Sequence, residues 1–216
     1  MGRMFISGGQ GGLAKAVVDC FTASGWEADA PSHFGLDVED RSGVSRWFDG
    51  HPAYDLAVCA AGITRDRPFL KQTEEEWDAV MNVNVTGAAW CARCAAEAMM
   101  REEREGQIVM IGSYAAFRPA PSQSAYAASK AALEGLVKSL AREWGGSGIR
   151  VNLVLPGFML TEMTTGLRES VRAAALSRHV LGRFNTPEQT AAFLLFLQEQ
   201  LTAASGQVFD LDSRIL

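Results

Sequence analysis

Tyr126-Ala127-Ala128-Ser129-Lys130 sets a phenol and an ammonium four residues apart. On a helix that spacing puts both on one face, one turn from each other. An ammonium beside a phenol favours the phenolate and draws its pKa down from about 10. A phenol tuned this way can give a proton to a carbonyl oxygen or take one from an alcohol. Taken alone, the pair also reads as one aromatic contact and one solvated charge in an Ala-rich helix. A second polar group stands at Ser113, just after the apolar run of residues 107–111. That run reads as a buried strand, and open α/β sheets place their ligands at the carboxyl ends of such strands.

These side chains need a frame, and the chain supplies one. Met4-Phe5-Ile6 reads as a short strand, followed by Ser7-Gly8-Gly9-Gln10-Gly11-Gly12-Leu13-Ala14 and an apolar-periodic helix to about residue 24. A Gly-rich turn between strand and helix aims backbone N–H groups and a helix N-terminus at an anion, typically a phosphate. Its spacing is G-x-x-x-G-x-A, not G-x-G-x-x-G, so its position after the first strand carries much of the weight. Residues 25–30 read as the second strand. When a dinucleotide is NAD, a carboxylate is expected at the end of that strand to hold the ribose. Ser32 stands there, followed by His33. Without a carboxylate a 2′-phosphate meets no repulsion, which leans toward NADP; the other reading of Pro31-Ser32-His33 is a plain turn.

The chain then runs directly into residues 34–38, leaving no room for a helix between these strands, and residues 44–49 read as a short helix. Residues 54–60 form a continuous apolar run, the pattern of a strand buried on both faces, which Ala61-Gly62 ends. Residues 73–104 read as one or two long helices, opened by a capping box of Thr73 and Glu76. The helix carrying Tyr126 and Lys130 is expected over residues 126–144, and a strand over residues 149–155 stopped by Pro156-Gly157. Residues 158–180 are long for a connection, either a lid or substrate wall or a segment whose Met and Leu side chains plug the core. Pro187 opens a last helix to about residue 201, and residues 207–211 read as a final strand. The β-α alternation indicates an α/β fold, a doubly wound Rossmann-type parallel sheet in a single domain over residues 1–216.

Composition limits the function. The 216 residues are 48% hydrophobic and 21% charged, an ordinary globular balance. The net charge of −5 supplies no basic footprint for nucleic acid or an anionic membrane. Cys20, Cys59, Cys91 and Cys94 lie in apolar or Ala-rich segments with no His at metal-ligand spacing, so no metal site is expected. No secretory signal or membrane span is visible, and a cytoplasmic protein is expected.

The motifs together resemble the short-chain dehydrogenase/reductase family in its single-domain form, from about Phe5 to Asp212. Ser7-Gly8-x3-Gly12-Leu13-Ala14 is similar to the family's cofactor turn, and Asp37-Val38 to its adenine-contacting pair. Asn84, in Val83-Asn84-Val85-Thr86-Gly87, resembles the asparagine of the catalytic tetrad. Ser113 precedes Tyr126 by thirteen residues, the family's interval, and Tyr126 with Lys130 matches Y-x3-K. Pro156-Gly157-Phe158-Met159-Leu160-Thr161 is similar to the segment bordering the nicotinamide. The resemblance implies Tyr126 as general acid/base, and Lys130 as the group that acidifies it and holds the nicotinamide ribose. It implies Ser113 as the donor to the substrate oxygen, and Asn84 as the holder of a water leading from Lys130. Without it, Ser113 reads as a turn residue and Asn84 as a helix kink. Residues implied at the cofactor are Ser7, Gly8, Gly12, Leu13, Ser32, His33, Asp37, Val38, Ala60, Ala61, Gly62, Tyr126, Lys130, Pro156, Gly157, Met159 and Thr161.

Three departures stand out. Cys59-Ala60-Ala61-Gly62 replaces N-N-A-G, Ala14 replaces the third glycine, and Asp212-Ser213-Arg214 stands where D-G-G is common. Within the family the chain most resembles 3-oxoacyl-thioester reductases. That implies NADP(H), with NAD as the alternative, a ketone or acyl-thioester substrate, and acyl carrier protein as a partner, with Arg104 flanking the site. A homodimer or homotetramer through the two long helices is also implied. The alternatives are an NAD-dependent alcohol, polyol or steroid dehydrogenase of the same fold, and a dinucleotide-sensing protein without catalysis.

Overall fold

The computed structural model describes residues 2–215, the side chain of Met163 excepted. Six parallel strands form one sheet: β1 (Arg3–Ile6), β2 (Glu27–Asp29), β3 (Leu56–Cys59), β4 (Gly106–Ile111), β5 (Ile149–Leu155) and β6 (Val208–Asp210). Their order is β2-β1-β3-β4-β5-β6. The order reverses between β1 and β3, which opens a crevice at their carboxyl ends. The helices are α1 (Gly12–Ala23), α2 (Arg41–Asp49), α3 (Glu74–Met81), α4 (Ala88–Arg101), α5 (Ser124–Trp144), α6 (Glu162–Thr165), α7 (Glu169–Leu176) and α8 (Pro187–Glu199).

Period-2 alternation divides the core. Phe5, Ala57, Cys59, Ile108, Met110, Val151 and Leu153 face α2, α4 and α5. Met4, Ile6, Leu56, Val58, Val109 and Val154 face α1 and α8. Both faces are covered, so β3 and β4 are buried at every residue, the condition that produces unbroken apolar runs.

Residues 34–38, expected as a strand, form none. Gly35 and Leu36 both donate to the Ser32 carbonyl, and Asp40 donates to that of Asp37. The apolar signal there is real but serves packing: Leu36 and Val38 are buried in the core while their backbone turns. Val38 lies so close to Gly87 that a side chain at 87 would collide with it.

The long segment from 73 is not one continuous α-helix. Thr73 and Glu76 form the expected capping box. Between α3 and α4 the helix widens into a π-helical turn, Asn82–Gly87, with Asn84 buried inside it. Such insertions mark functional positions more often than ordinary helix does.

Candidate active site

The cleft begins at the Gly-rich turn. Gly8 has φ +75, and a Cβ there would sit 3.1 Å from the Ala61 Cα. Only glycine combines that backbone with so close an approach. Gly9, which the sequence reading did not single out, donates to the Pro31 carbonyl at 2.9 Å, and any side chain on it would collide with the Ala30 backbone. Its signal was the glycine run itself. Ser7, expected at the cofactor, is buried, and its hydroxyl accepts the N–H groups of Ala60 and Ala61, each at 3.0 Å. Ser7 therefore ties the β3 loop to β1 and sets the cleft floor.

Helix α1 starts at Gly11 with no side-chain cap and no acidic residue in its first turn. Its first N–H groups face the crevice, the arrangement that suits a pyrophosphate. The residues thus fit a dinucleotide: a tight turn without side chains, a helix terminus with no cap from its own turn and the neighbouring Ala60-Ala61-Gly62 loop. Leu13 packs within α1 against the core. At the start of α6, Thr161 and Glu162 rest on Gly12, and Lys15 Nζ lies 3.2 Å from Glu162 Oε1.

Beyond β2, His33 is exposed and its Nδ1 lies 3.7 Å from Asp37 Oδ1, while Asp37 Oδ1 accepts from Glu39 N at 2.9 Å. The carboxylate at the end of β2, Asp29, is committed elsewhere: it accepts from Arg3 at 3.1 Å and from the Tyr54 hydroxyl at 2.9 Å.

The proton-handling groups meet at the carboxyl ends of β3 and β4. Ser113 Oγ accepts from Ala115 N at 3.1 Å, which leaves its O–H free to donate. The Ser113 hydroxyl faces the Tyr126 hydroxyl and works to lower that phenol's pKa. Lys130 is buried and donates to the Ile111 carbonyl at 2.8 Å. Its Nζ lies 5.9 Å from the Tyr126 ring centroid. Gly62 keeps a space whose walls include Lys130 Nζ and Asn84 Oδ1. Asn84 donates to the Ile63 carbonyl and to Ser129 Oγ, both at 3.0 Å, and accepts from Ile63 N at 2.8 Å. One lone pair of its carbonyl remains beside Lys130.

The electrostatics correct the opening expectation. The phenol of Tyr126 is pushed up, not down: desolvation is the largest cause and the Asp66 charge adds to it, while the Ser113 hydrogen bond offsets part. The residue as a whole is only partly covered, so it is the hydroxyl end that burial affects. Lys130 does not outweigh that desolvation. Its own pKa is pulled down to about 8 by desolvation, because its ammonium faces a backbone carbonyl and no carboxylate. Spacing gave the shared helix face; the depth of that face in the protein set the sign of the shift.

The remaining expected residues border the same cleft. Pro156 follows β5 and accepts from Asn185 Nδ2 at 2.7 Å, and Gly157 turns with φ +81. The carbonyl of Met159 accepts from Thr164 Oγ1 at 2.6 Å. Cys59, standing for an asparagine, is buried, and its thiol donates to the Ala88 carbonyl at 3.5 Å. It thus keeps a weak tie between β3 and α4. Arg104 is not where a flanking residue is needed. It lies just before β4, paired with Asp55 just before β3 at 2.6 Å, on the amino edge of the sheet opposite the cleft.

Comparison with known proteins agrees with this architecture. A family profile described as Enoyl-(Acyl carrier protein) reductase matches residues 12–213. The chain is 42% identical over 186 residues to the 3-oxoacyl-[acyl-carrier-protein] reductase FabG of Thermotoga maritima, covering 84% of this chain and 75% of that protein. It is also 42% identical over 159 residues to an acetoacetyl-CoA reductase of Synechocystis, covering 73% of this chain and 65% of the relative. A solved 4-hydroxyisoleucine dehydrogenase complexed with NADH superposes with a TM-score of 0.90 at 24% identity, over 99% of this chain and 98% of that one, which shows a shared fold. The chain belongs to the short-chain dehydrogenase/reductase family and is an NAD(P)-dependent oxidoreductase.

Proposed function

We propose that this protein reduces a ketone on an acyl thioester, using NADP(H), with Asn84, Ser113, Tyr126 and Lys130 as its catalytic residues. The observation that carries the reading is the meeting of a buried ammonium, a phenol and a serine hydroxyl beside an uncapped, glycine-built helix terminus. A reduced nicotinamide, when bound, supplies the hydride.

The chain's own residues do the rest. Tyr126 is held neutral by burial and gives its hydroxyl proton to the carbonyl oxygen of the substrate. Ser113, with its O–H free, donates to that same oxygen and stabilises the charge that grows there. The phenolate left on Tyr126 is stabilised by the Lys130 ammonium on the same helix face. The phenolate regains its proton from the Lys130 ammonium, and the neutral amine this leaves is reprotonated from solvent along the path past Asn84, whose spare lone pair borders it. The residues from Gly8 to Leu13, Ala60 to Gly62, and Pro156 to Thr161 would hold the dinucleotide.

The preference for NADP(H) rests on Ser32 and exposed His33, and on Asp29 being spent on Arg3 and Tyr54. A thioester substrate follows from the names of the relatives, one acting on a carrier-linked and one on a CoA-linked acyl group. Arg104 lends no support to a carrier protein at this cleft, so carrier and CoA linkage stand equal. A second copy of the chain is proposed against the outer face of α4 and α5, where Trp90, Met100, Leu136, Leu140 and Trp144 line a groove. Among the described residues no helix is long and apolar enough to cross a membrane.

The test is a panel of ketones and acyl thioesters, each with NADPH and NADH. Highest kcat/KM on a 3-oxoacyl thioester with NADPH is expected. A clear NADH advantage would overturn the cofactor assignment, and turnover of alcohols or polyols alone would overturn the substrate class.

A further inference from the structure

Asp212-Ser213-Arg214 departs from the family pattern, and the proposed chemistry does not use it. The segment follows β6 and crosses the carboxyl end of β5, where Leu211 donates to the Leu155 carbonyl at 3.0 Å. The Asp212 side chain is completely buried. Its Oδ1 accepts the Arg214 N–H at 3.0 Å, and its Oδ2 accepts from Arg214 Nε at 2.7 Å and from Nη2. On the other side His179 Nε2 lies 2.9 Å from Oδ1, close but poorly aligned as a hydrogen bond.

Each partner belongs to a different wall of the cleft. Arg214 lies over the Tyr114 ring, 3.9 Å from its centroid, and Tyr114 follows Ser113 directly. His179 anchors the far end of the cover segment, residues 158–180: its Nδ1 meets the Ala175 carbonyl at 2.8 Å, and Val180 donates to the Ser213 carbonyl at 3.2 Å. Gly157 presses against the carboxylate itself, since a Cβ there would stand 3.1 Å from it. A buried carboxylate is costly unless paired, and losing one partner leaves an uncompensated charge. Here the pairing joins four segments through one side chain.

We propose that Asp212, held between Arg214 and His179, is a positioning residue that locks the cover segment to the Pro156-Gly157 turn and to the backbone after Ser113, and so sets substrate affinity. The proposal rests on the oxidoreductase reading above. Asp212 touches no reacting atom; it acts through the walls it joins. Arg214 is this chain's own contribution, since the usual glycine at that place has no side chain to supply.

Two variants test it in the full-length protein: Arg214→Met, which keeps bulk and removes the charge, and His179→Gln. The first readout is amide exchange without substrate. Exchange over residues 170–182 should quicken about tenfold while α5 stays protected. The second is kinetics: KM for the ketone should rise about fivefold or more with kcat within about twofold, the mark of lost binding rather than lost chemistry. Arg214→Lys should restore part of the KM. Unchanged exchange in both variants would overturn the proposal. So would faster exchange spread evenly over the chain with no KM-against-kcat split, which is a stability role. Failure of the wild type to reduce any ketone would defeat the oxidoreductase reading instead, and the exchange result would stand apart from it.

Discussion

Helices α1 and α8 pack side by side on one face of the sheet, yet they begin in opposite ways. Helix α8 is closed by a full capping box: Thr186 Oγ1 accepts from Gln189 N at 3.2 Å, Gln189 Oε1 accepts from Thr186 N at 3.3 Å, and Pro187 fills the first position. Helix α1 begins with Gly11 and Gly12, and no side chain of its own turn takes its first N–H groups. A glycine N-cap is only roughly a few tenths of a kcal/mol worse than a side-chain cap, and it leaves the terminus free of side chains beside the crevice, which suits a terminus kept for a ligand. The anion that approaches it comes from another segment, the Glu162 carboxylate of α6. Of this pair, the helix that only supports the fold is capped, and the one that faces the cleft is not.

That contrast can be broken by substitution. The largest effect is expected for Gly12→Asp, which puts an acid at the open terminus and pushes against Glu162. Dinucleotide Kd, followed by fluorescence titration, should rise about tenfold or more, the repulsion and the lost approach adding together. Next is Thr186→Ala, which opens the box on α8. It should cost about 1 kcal/mol in denaturant unfolding and leave dinucleotide Kd unchanged. The smallest is Glu162→Gln. Its carboxyl is held below the usual range by its own backbone N–H and by the hydrogen bond from Lys15, so it stays an anion near neutral pH and competes with phosphate for Gly12. Removing the charge should tighten dinucleotide binding, by less than about threefold because the pair is exposed and screened. Equal effects of Thr186→Ala and Gly12→Asp on dinucleotide binding would erase the distinction between the two helices.

Much of this frame was legible in the residues. Apolar runs marked β3 and β4, because both sheet faces are covered. The Thr73 and Glu76 box, the Pro187 start and the Gly8 turn each carry their geometry in residue type. Residues 34–38 misled because burial of Leu36 and Val38 comes from a turn pressed on the core, and periodicity cannot separate that from a strand. Among the site residues, Ser113, Tyr126, Lys130 and Asn84 do converge on the ends of β3 and β4. The sign of the Tyr126 shift was not legible, since desolvation depends on how many distant segments close over the hydroxyl. Arg104 misled for a related reason: distance along the chain from Ser113 does not say which edge of a sheet a residue faces. The His179, Asp212 and Arg214 cluster joins positions with no local motif, so only the fold reveals it.

The most direct test of the central claim is ketone reduction by Tyr126→Phe and wild type across pH, with dinucleotide binding measured in parallel. Lys130 is pulled down to about 8 and is an ammonium only below that, while Tyr126 is pushed up and keeps its proton throughout. Wild-type reduction should therefore hold below pH 8 and fall as pH rises through it. Tyr126→Phe should bind the dinucleotide normally and lose about 1,000-fold in kcat. Retention of activity within about tenfold by Tyr126→Phe, or wild-type reduction that quickens above about pH 8, would contradict proton donation by a neutral Tyr126 beside a charged Lys130.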